Sequence, residues 1–345
     1  GMSCGILTRI RYFTLVEARR FDATKPMVSR VRKNNWNELA HLSYGKKTIE
    51  HRLKLEKAFN NIRDFLEKKK EMRVCAIGSY FVGASTPFSD LDLVLIPHNL
   101  GKEKKSGELN AGSNDAKNKR HLYAVASRLE KSGILQKKPF ILSHARIPIV
   151  NARTRSGIDF DVQVGNIDTI YSSHLVKLSF QLDPRQILVY HWLRRSIEGY
   201  NLFGGKFGMF TSFHLYMLIL HFAQATGILP NIMEEYSRLF DTQSNWMELE
   251  VNWREEQSRF SPLYSMEDPN SWAPLLVDQL ISYYGKVDFT QVEIDAGKGE
   301  LRERSTNQLL LIDPFFDQNI GVCKVNNGAA IMNAVFTKLM KNRLE

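Results

Sequence analysis

The sequence predicts an α+β fold in which a mixed sheet with flanking helices adjoins a mainly helical region. Two apolar, β-prone runs, 73–77 and 91–96, are separated by a glycine–serine break, and strand-like runs follow at 146–150 and 157–164. On both sides of this group, apolar residues recur at helical spacing. Strands grouped between helical segments are typical of an α+β arrangement.

Composition limits the possible partners and compartments. A chain of 345 residues with a formal net charge of +10 can form two domains and favours a polyanionic partner. The longest apolar stretch, 207–225, is interrupted by polar residues, so we expect a buried helix and no membrane span. Three widely spaced cysteines indicate neither disulfides nor a zinc site, which fits the cytoplasm. A mitochondrial presequence within residues 1–30 is the alternative.

The N-terminal third contains a helix that leads into the sheet. Residues 1–35 begin with strand-like alternation, to which we assign no function. From residue 36 the pattern becomes helical, with Leu55, Phe59, Ile62 and Leu66 spaced one turn apart. This helix precedes the first strand directly.

The second strand carries a pair of carboxylates. Side chains alternate faces along a strand, so Asp90 and Asp92 project together while Leu91 and Leu93 point into the protein. Carboxylates about 7 Å apart on one face repel each other unless a cation lies between them. Hard oxygen ligands of this kind suit Mg²⁺ or Mn²⁺. For such a pair alone, two solvated surface aspartates would be the alternative.

The break before this strand fits phosphate binding. Gly78 lets the backbone approach a phosphate closely, and Ser79 offers a hydroxyl group and a backbone N–H to the same anion. Together with the carboxylates, the break predicts a nucleotide and metal site over residues 72–96.

The middle of the chain adds a loop, a helix and further strands. Residues 98–121 lack apolar periodicity and are rich in lysine, so we expect a solvated loop; RNA binding by its basic side chains is the alternative. A helix follows at 122–132. On the strand 157–164, Asp159 and Asp161 share one face, and each is a candidate metal ligand.

From residue 172 onward the chain is predicted to be mainly helical. Core helices at 187–192 and 210–222 are separated by the glycine-containing segment 199–208, and helix-start residues lie at 268–272. No RNA-recognition module or zinc knuckle is recognisable in this half.

Several of these motifs resemble one enzyme superfamily. Gly78-Ser79, ten residues, and then Asp90-Leu-Asp92 in an apolar strand resemble the DNA polymerase β-like nucleotidyltransferases. Within them, the chain is most similar to the cytoplasmic template-independent poly(A) polymerases, including germline ones, and to the terminal uridylyltransferases. The runs 146–150 and 158–166 resemble the family's P-I-V and F-D-h-x-h-x-N motifs. The resemblance covers about residues 36–340, including the family's Y-Y-G-x-x-F and D/E-P-F segments.

The resemblance implies a domain arrangement and a reaction. A catalytic domain over 72–172 would be inserted into a helical central domain formed by the helix within 36–71 and by 173–345, with an N-terminal extension over 1–35. The cleft between them would add ribonucleotides to RNA 3′ ends, using two metal ions. The family's third carboxylate is the one followed by h-x-h-x-N, which selects Asp161 over Asp159.

The resemblance also implies a nucleotide pocket. Asn166 matches a residue that contacts ribose and base, Ser173 a small hydroxyl residue at the nucleotide, and Ser212 a serine at the triphosphate. Phe213 matches an aromatic residue that stacks on the incoming base, although alone it would be taken for a core aromatic. A helix N-terminus near Ser212 suits a phosphate independently.

The sequence departs from the family at the pocket. Tyr190 stands where the family has its first triphosphate lysine, whereas the second basic position is retained as Arg194. Lys177 and Arg195 are the other nearby cations that could bind the triphosphate. Gln318 replaces the histidine that uridylyl-specific members place before an asparagine, which favours ATP slightly.

Three functions therefore compete. The first is template-independent RNA tailing with ATP, or with UTP or mixed nucleotides. The second is an inactive transferase-like scaffold or RNA-binding subunit. The third is a relative acting on another acceptor, such as a 2′-5′ oligoadenylate synthetase or an antibiotic nucleotidyltransferase. The resembled germline poly(A) polymerases work with RNA-binding or scaffold adaptors, so we expect such a partner and a location that includes RNA granules.

Overall fold

The computed structural model describes residues 36–69, 71–98, 116–143, 147–204, 209–241, 246–315 and 325–344. The predictions for the N-terminal extension 1–35, for Arg146, for Gln318 and for most of the lysine-rich segment lie outside these residues.

The described helices are α1 Trp36–Tyr44, α2 Lys46–Glu67, α3 Gly78–Val82, α4 Ala116–Glu130, α5 Ile167–Leu182, α6 Arg185–Gly199, α7 Ser212–Ala225, α8 Ile232–Glu235, α9 Trp246–Gln257, α10 Pro269–Tyr284 and α11 Gly328–Leu344. The described strands are β1 Met72–Ile77, β2 Leu91–Pro97, β3 Phe140–Leu142, β4 Ile149–Arg153, β5 Asp159–Val164, β6 Val292–Asp295, β7 Glu300–Glu303 and β8 Leu311–Ile312.

The larger sheet has five strands in the order β1-β2-β5-β4-β3. Strands β2 and β5 pair in parallel, and the other neighbours are antiparallel, so the predicted mixed sheet is confirmed. Its two faces belong to different cores. Val74 and Leu93 pack with α2 and α4, whereas Cys75 and Val94, one residue along each strand, pack with the helical half.

The helical half has a continuous apolar core. Leu188, Leu218, Leu280 and Phe336, from four helices, are all fully buried. The two core helices predicted around the glycine-containing segment are confirmed as α6 and α7. None of the described helices is long and apolar enough to cross a membrane. Helix α5 runs without interruption through residue 172, the predicted domain boundary, and packs on both the sheet and the helical half.

Three local predictions need correction. The glycine–serine break is a one-turn helix, α3, because Gly78 and Gly83 adopt left-handed φ values of 66° and 87° at its two ends. Helix α4 begins at Ala116 rather than 122, since its first turns contain good helix formers that carry no apolar periodicity. Strand β4 lies at 149–153, three residues beyond the predicted start.

The C-terminal region also contains a second sheet that the sequence analysis missed. Its three described strands, in the order β7-β6-β8, are two to four residues long, too short to show an alternating pattern. The Gly297–Gly299 turn between β6 and β7 was the available signal, because Gly299 has a φ of 69°. Arg304 donates to the buried Glu293 at 2.6 Å and joins the hairpin.

Candidate active site

The predicted carboxylates meet at one edge of the sheet. Asp92 on β2 lies opposite Asp161 on β5 in the parallel register, and Asp90 immediately precedes β2. One carboxylate oxygen of each of these residues lies within 4.8 Å of those of the other two. Asp92 and Asp161 alternate with residues packed against α2 and α4, so both face the helical half. We call Asp90, Asp92 and Asp161 the triad.

The triad brings three carboxyl groups together, two of which, those of Asp92 and Asp161, are partly buried. Burial, followed by the charges of Asp90 and Asp161, raises the pKa of Asp92 to about 8. Burial is also the main cause of the raised pKa of Asp161, although a hydrogen bond from Asn151 acts in the opposite direction. No lysine or arginine in the described ranges forms an ion pair with the triad. A cluster of hard oxygen donors without protein counter-charge fits a divalent cation such as Mg²⁺ or Mn²⁺.

Gly78 is required by the triad itself. It has a φ of 66°, and a Cβ atom built there would overlap the Asp92 carboxylate oxygen Oδ2. The absent side chain therefore makes room for the Asp92 carboxylate, in addition to the phosphate approach expected from the sequence. Ser79 follows in the first turn of α3 and is half-buried.

Asn151 orients the third carboxylate and was missed by the sequence analysis. It lies opposite Asp161 in the antiparallel β4–β5 pair, and its Nδ2 donates to Asp161 Oδ1 at 2.7 Å. Finding it required the strand register, which the sequence did not provide. Asp159 instead pairs with Arg153 at 3.3 Å and is exposed. The geometry thus groups Asp161, and not Asp159, with Asp90 and Asp92.

The loop that delivers Asp90 is fastened to α2. Arg52 donates to Gly83 O at 2.6 Å and to Ser85 Oγ at 2.8 Å. A His51 ring nitrogen lies 2.7 Å from Ser89 O, immediately before Asp90. These contacts fix the approach of the chain to β2. Helix α2 therefore positions one carboxylate of the triad, although it lies outside the predicted catalytic segment.

The predicted nucleotide contacts lie on α5 and α7. Asn166 caps α5, where its side chain accepts from Thr169 N at 3.4 Å and donates to Gln163 at 2.8 Å. Ser173 is buried in the same helix. Phe213, in the first turn of α7, is half-buried against the helical core. Helix α7, which carries Ser212 and Phe213 in its first turn, packs on α3, which begins with Gly78 and Ser79.

Tyr190 connects the two predicted triphosphate residues. Its hydroxyl group donates to Ser212 Oγ at 2.8 Å and accepts from Arg194 Nη1 at 3.4 Å. Arg194 Nε also donates to Glu198 at 2.7 Å, one turn further along α6.

The other two candidate cations are placed differently. Arg195 is exposed and donates to Glu38 at 3.2 Å. Lys177 lies with its Nζ 4.2 Å from the centre of the Phe81 ring, and burial lowers its pKa to about 8. Of the cations weighed from the sequence, only Arg194 makes a side-chain contact with the Tyr190–Ser212 pair among the described residues.

A second buried carboxyl group lies outside the triad. Asp168, in the first turn of α5, is 5% exposed, and within the described structure neither of its oxygens has a hydrogen-bond partner. Burial, and then the charge of Asp313, raises the pKa of Asp168 to about 8. Its charged form is therefore disfavoured in the folded state.

This environment predicts a pH-dependent effect of Asp168→Asn. Between the unfolded pKa near 4 and the folded value, the folded wild type holds a proton that the unfolded chain releases, so its stability falls as pH rises, by about 1.4 kcal/mol per pH unit. Asparagine does not titrate. The free energy of unfolding of the variant, relative to that of the wild type, should increase from pH 4 to 8 and then level off. By pH 7 we expect a gain of roughly 4 kcal/mol over the difference at pH 4.

Urea unfolding across this pH range measures the difference directly. Comparing slopes removes the fixed cost of burying an amide group in place of a carboxyl group. Parallel pH curves for wild type and variant would show that Asp168 titrates normally in the fold.

The sequence and the fold of the chain were compared with those of known proteins. Residues 31–181 match the family model for the central palm domain of mitochondrial-like poly(A) RNA polymerase, which covers less than half of the chain. No curated protein sequence matches the chain.

Solved structures match nearly the whole chain. The GLD-2/RNP-8 complex aligns with a TM-score of 0.64 at 16% identity, covering 91% of this chain and 96% of that chain. For mtPAP in complex with ATPγS the TM-score is 0.65 at 19% identity, with 92% and 69% covered. A cytoplasmic RNA terminal U-transferase gives 0.63 at 15% identity, with 92% and 93% covered. Other mtPAP structures contain UTP, GTP or CTP.

These matches confirm the resemblance and the fold class drawn from the sequence. Residues 31–181 match a poly(A) RNA polymerase palm-domain model, and the chain has the overall fold of the matched poly(A) polymerase and terminal U-transferase structures.

Proposed function

We propose that this chain, whose palm domain and fold are those of template-independent RNA nucleotidyltransferases, adds ribonucleotides to RNA 3′ ends, with ATP slightly favoured. The observation that carries the proposal is the triad: three carboxylates with oxygens within 4.8 Å of one another, lacking a cationic partner among the described residues. Two of them, Asp92 and Asp161, face the helical half. Such a cluster is costly to a fold unless it binds cations.

The triad residues would divide the work between two divalent ions. Asp90 and Asp92 would hold both, and Asp161, oriented by Asn151, would complete the ion nearest the RNA 3′ end. When bound, the ions supply charge neutralisation for the leaving pyrophosphate and lower the pKa of the 3′-hydroxyl. Ser79, Ser212 and Arg194 would orient the triphosphate, and Phe213 would stack on the incoming base.

The proposed choice of nucleotide follows from the positions at which this chain differs from the resembled family in the nucleotide pocket. Gln318 offers an amide group, which can pair with more than one base edge, where a base-selecting histidine would stand. The related mtPAP has been crystallised with UTP, GTP, CTP and ATPγS, so that pocket admits all four bases. We therefore expect ATP incorporation to equal or exceed UTP incorporation, with some mixed tailing.

A single assay tests the proposed function and the choice of nucleotide. A defined oligoribonucleotide is incubated with each NTP, and with pairs of them, in Mg²⁺ and in Mn²⁺. Extension by UTP alone, with no ATP, GTP or mixed product, would contradict the expected nucleotide choice. No extension under any condition, although the protein binds RNA and is folded, would favour the inactive scaffold.

That RNA is the molecule that receives the nucleotide is also part of the proposal. The third hypothesis, a relative acting on another acceptor, predicts 2′-5′ linked oligoadenylate without an RNA primer, or modification of a small hydroxylated molecule. The whole-length match to GLD-2 and a terminal U-transferase supports RNA. Analysis of the linkage and of primer dependence separates these outcomes.

We further propose that substrate choice depends on an adaptor protein. The net charge of +10 supplies affinity for RNA but no sequence information. The neighbouring GLD-2 structure is itself a complex with RNP-8. We expect unrelated RNAs of equal length to bind the isolated chain similarly, and affinity to fall roughly 10²-fold or more between 50 and 200 mM salt, as for several phosphate contacts.

Titrating several such RNAs at a series of salt concentrations measures this. Tight binding that distinguishes sequences and hardly changes with salt would place the specificity in this chain and remove the need for an adaptor.

We place the protein in the cytoplasm, including RNA granules, on the basis of its cysteine pattern and the resemblance. The mitochondrial-like family model keeps mitochondria as the alternative. Fractionation of cells that express the native protein separates the two.

A further inference from the structure

We infer that Tyr190 is a positioning residue for the nucleotide triphosphate, whose hydroxyl group joins Arg194 and Ser212 into one hydrogen-bonded unit. The inference rests on the proposed function. It gives a role to the position where the resembled family has a lysine, and it explains how the site works with one fewer cation.

The ring of Tyr190 is held rigidly. The residue is fully buried on α6, its ring centre lies 4.6 Å from that of Tyr216 on α7, and it lies 5.0 Å from the ring centre of His191. With the ring in this position, its hydroxyl group reaches Ser212 in the first turn of α7. Because no part of Tyr190 is exposed, it acts through its neighbours and does not itself contact the nucleotide.

The Tyr190 hydroxyl group is a hydrogen-bond donor to Ser212 and a hydrogen-bond acceptor from Arg194. It donates to Ser212 Oγ at 2.8 Å and receives Arg194 Nη1 at 3.4 Å. Since Ser212 Oγ accepts this proton, the hydroxyl proton of Ser212 is left to donate elsewhere, as a phosphate oxygen requires. A lysine at position 190 could not join Ser212 and Arg194 in this way, because its ammonium group cannot accept a hydrogen bond from Arg194.

Both partners of Tyr190 are themselves restrained. Thr211 and His214 form a capping box around Ser212, which fixes the N-terminus of α7. The Arg194 guanidinium lies 4.5 Å from the centre of the Phe203 ring and pairs with Glu198 through Nε. The arginine is therefore presented in one orientation at little further entropic cost.

The unit lies beside the triad. Helix α7 packs on α3, whose first residue, Gly78, contacts Asp92. Tyr216, against which Tyr190 packs, has a raised pKa caused first by burial and then by its neighbours, which include Tyr190 and Asp92. An anion bound between the triad and the first turn of α7 would thus meet Ser212 and Arg194 together.

The test removes only the hydroxyl group, with Tyr190→Phe. We expect the KM for ATP at saturating RNA, and the Kd for ATP·Mg²⁺ measured without RNA, to rise about fivefold to tenfold, as for one lost hydrogen bond. The kcat should change by less than about twofold, and the KM for RNA should not change. Tyr44→Phe is the matched control, because Tyr44 loses a comparable hydrogen bond, 2.8 Å to Pro184 O, elsewhere in the helical half.

A second background separates positioning from general stability. The variant Ser212→Ala lacks the acceptor of the Tyr190 hydrogen bond. In this background the rise in the Kd for ATP caused by Tyr190→Phe should be at least about twofold smaller than the rise it causes in wild type. Equal effects in both backgrounds, an unchanged Kd in Tyr190→Phe, or the same Kd change in Tyr44→Phe would overturn the inference. A wild type that binds ATP in this Tyr190-dependent way, yet extends no RNA, would overturn only the proposed function.

Discussion

Alanine at Asp90, Asp92 or Asp161 is expected to reduce nucleotide transfer roughly 10³- to 10⁴-fold, because each change removes a proposed metal ligand from a site in which the residues would act as a unit. The fold should remain intact. The pKa of Asp92 is raised to about 8 by burial and by the other two carboxylates, so removing any one of them relieves repulsion. Extension of a labelled oligoribonucleotide and thermal unfolding, measured on the same preparations, check both expectations.

Asp159→Ala is the matched control for Asp161→Ala. Both residues lie on the same face of β5, but Asp159 is exposed and paired with Arg153 at 3.3 Å. An exposed ion pair contributes about 0–1 kcal/mol, so activity should change only a few fold. If Asp159→Ala were as inactive as Asp161→Ala, the strand register or the choice of third ligand would be wrong.

Gly78→Ala is expected to have the next largest effect, a loss of about 10²-fold or more in activity. Its Cβ atom would overlap the Asp92 carboxylate oxygen Oδ2, and displacing a catalytic group by about 1 Å can cost this much. The left-handed φ of 66° adds about 1–2 kcal/mol of backbone strain. Steady-state transfer rates and the free energy of unfolding measure the two contributions separately.

Gly133→Ala controls for the strain. Gly133 has a comparable φ of 72°, and nothing lies within 4 Å of its Cβ position. We expect a similar loss of stability with activity close to wild type. Equal losses of activity in the two variants would show that Gly78 matters for backbone conformation and not for the space it leaves to Asp92.

The strongest sequence predictions concerned residues whose spacing alone determines their placement. Strand periodicity put Asp90 and Asp92 on one side and Leu91 and Leu93 in the core, and the structure has them so. The long helix before the sheet was recognisable because Leu55 and Ile62, two turns apart, are both buried.

Features that depend on pairing between distant segments were not accessible in this way. Asn151 reaches Asp161 only through the β4–β5 register, and the Tyr190–Ser212 bond joins two helices whose crossing no local pattern specifies. The sheet β6–β8 was missed because strands of two to four residues show no reliable period. The roles of Asn166, Ser173 and Phe213 remain predictions from resemblance, although Asn166 has a clear structural role as a helix cap.

The central claim is that the triad transfers nucleotides to an RNA 3′-hydroxyl. The most direct test compares two oligoribonucleotides of identical sequence, one ending in a 3′-hydroxyl and one in a 3′-deoxyribose, each incubated with α-labelled ATP and Mg²⁺. We expect label to enter only the 3′-hydroxyl RNA, with release of pyrophosphate, and to be abolished by chelation of the metal. Label in both RNAs, or in neither in the presence of Mg²⁺ or Mn²⁺, would contradict the account.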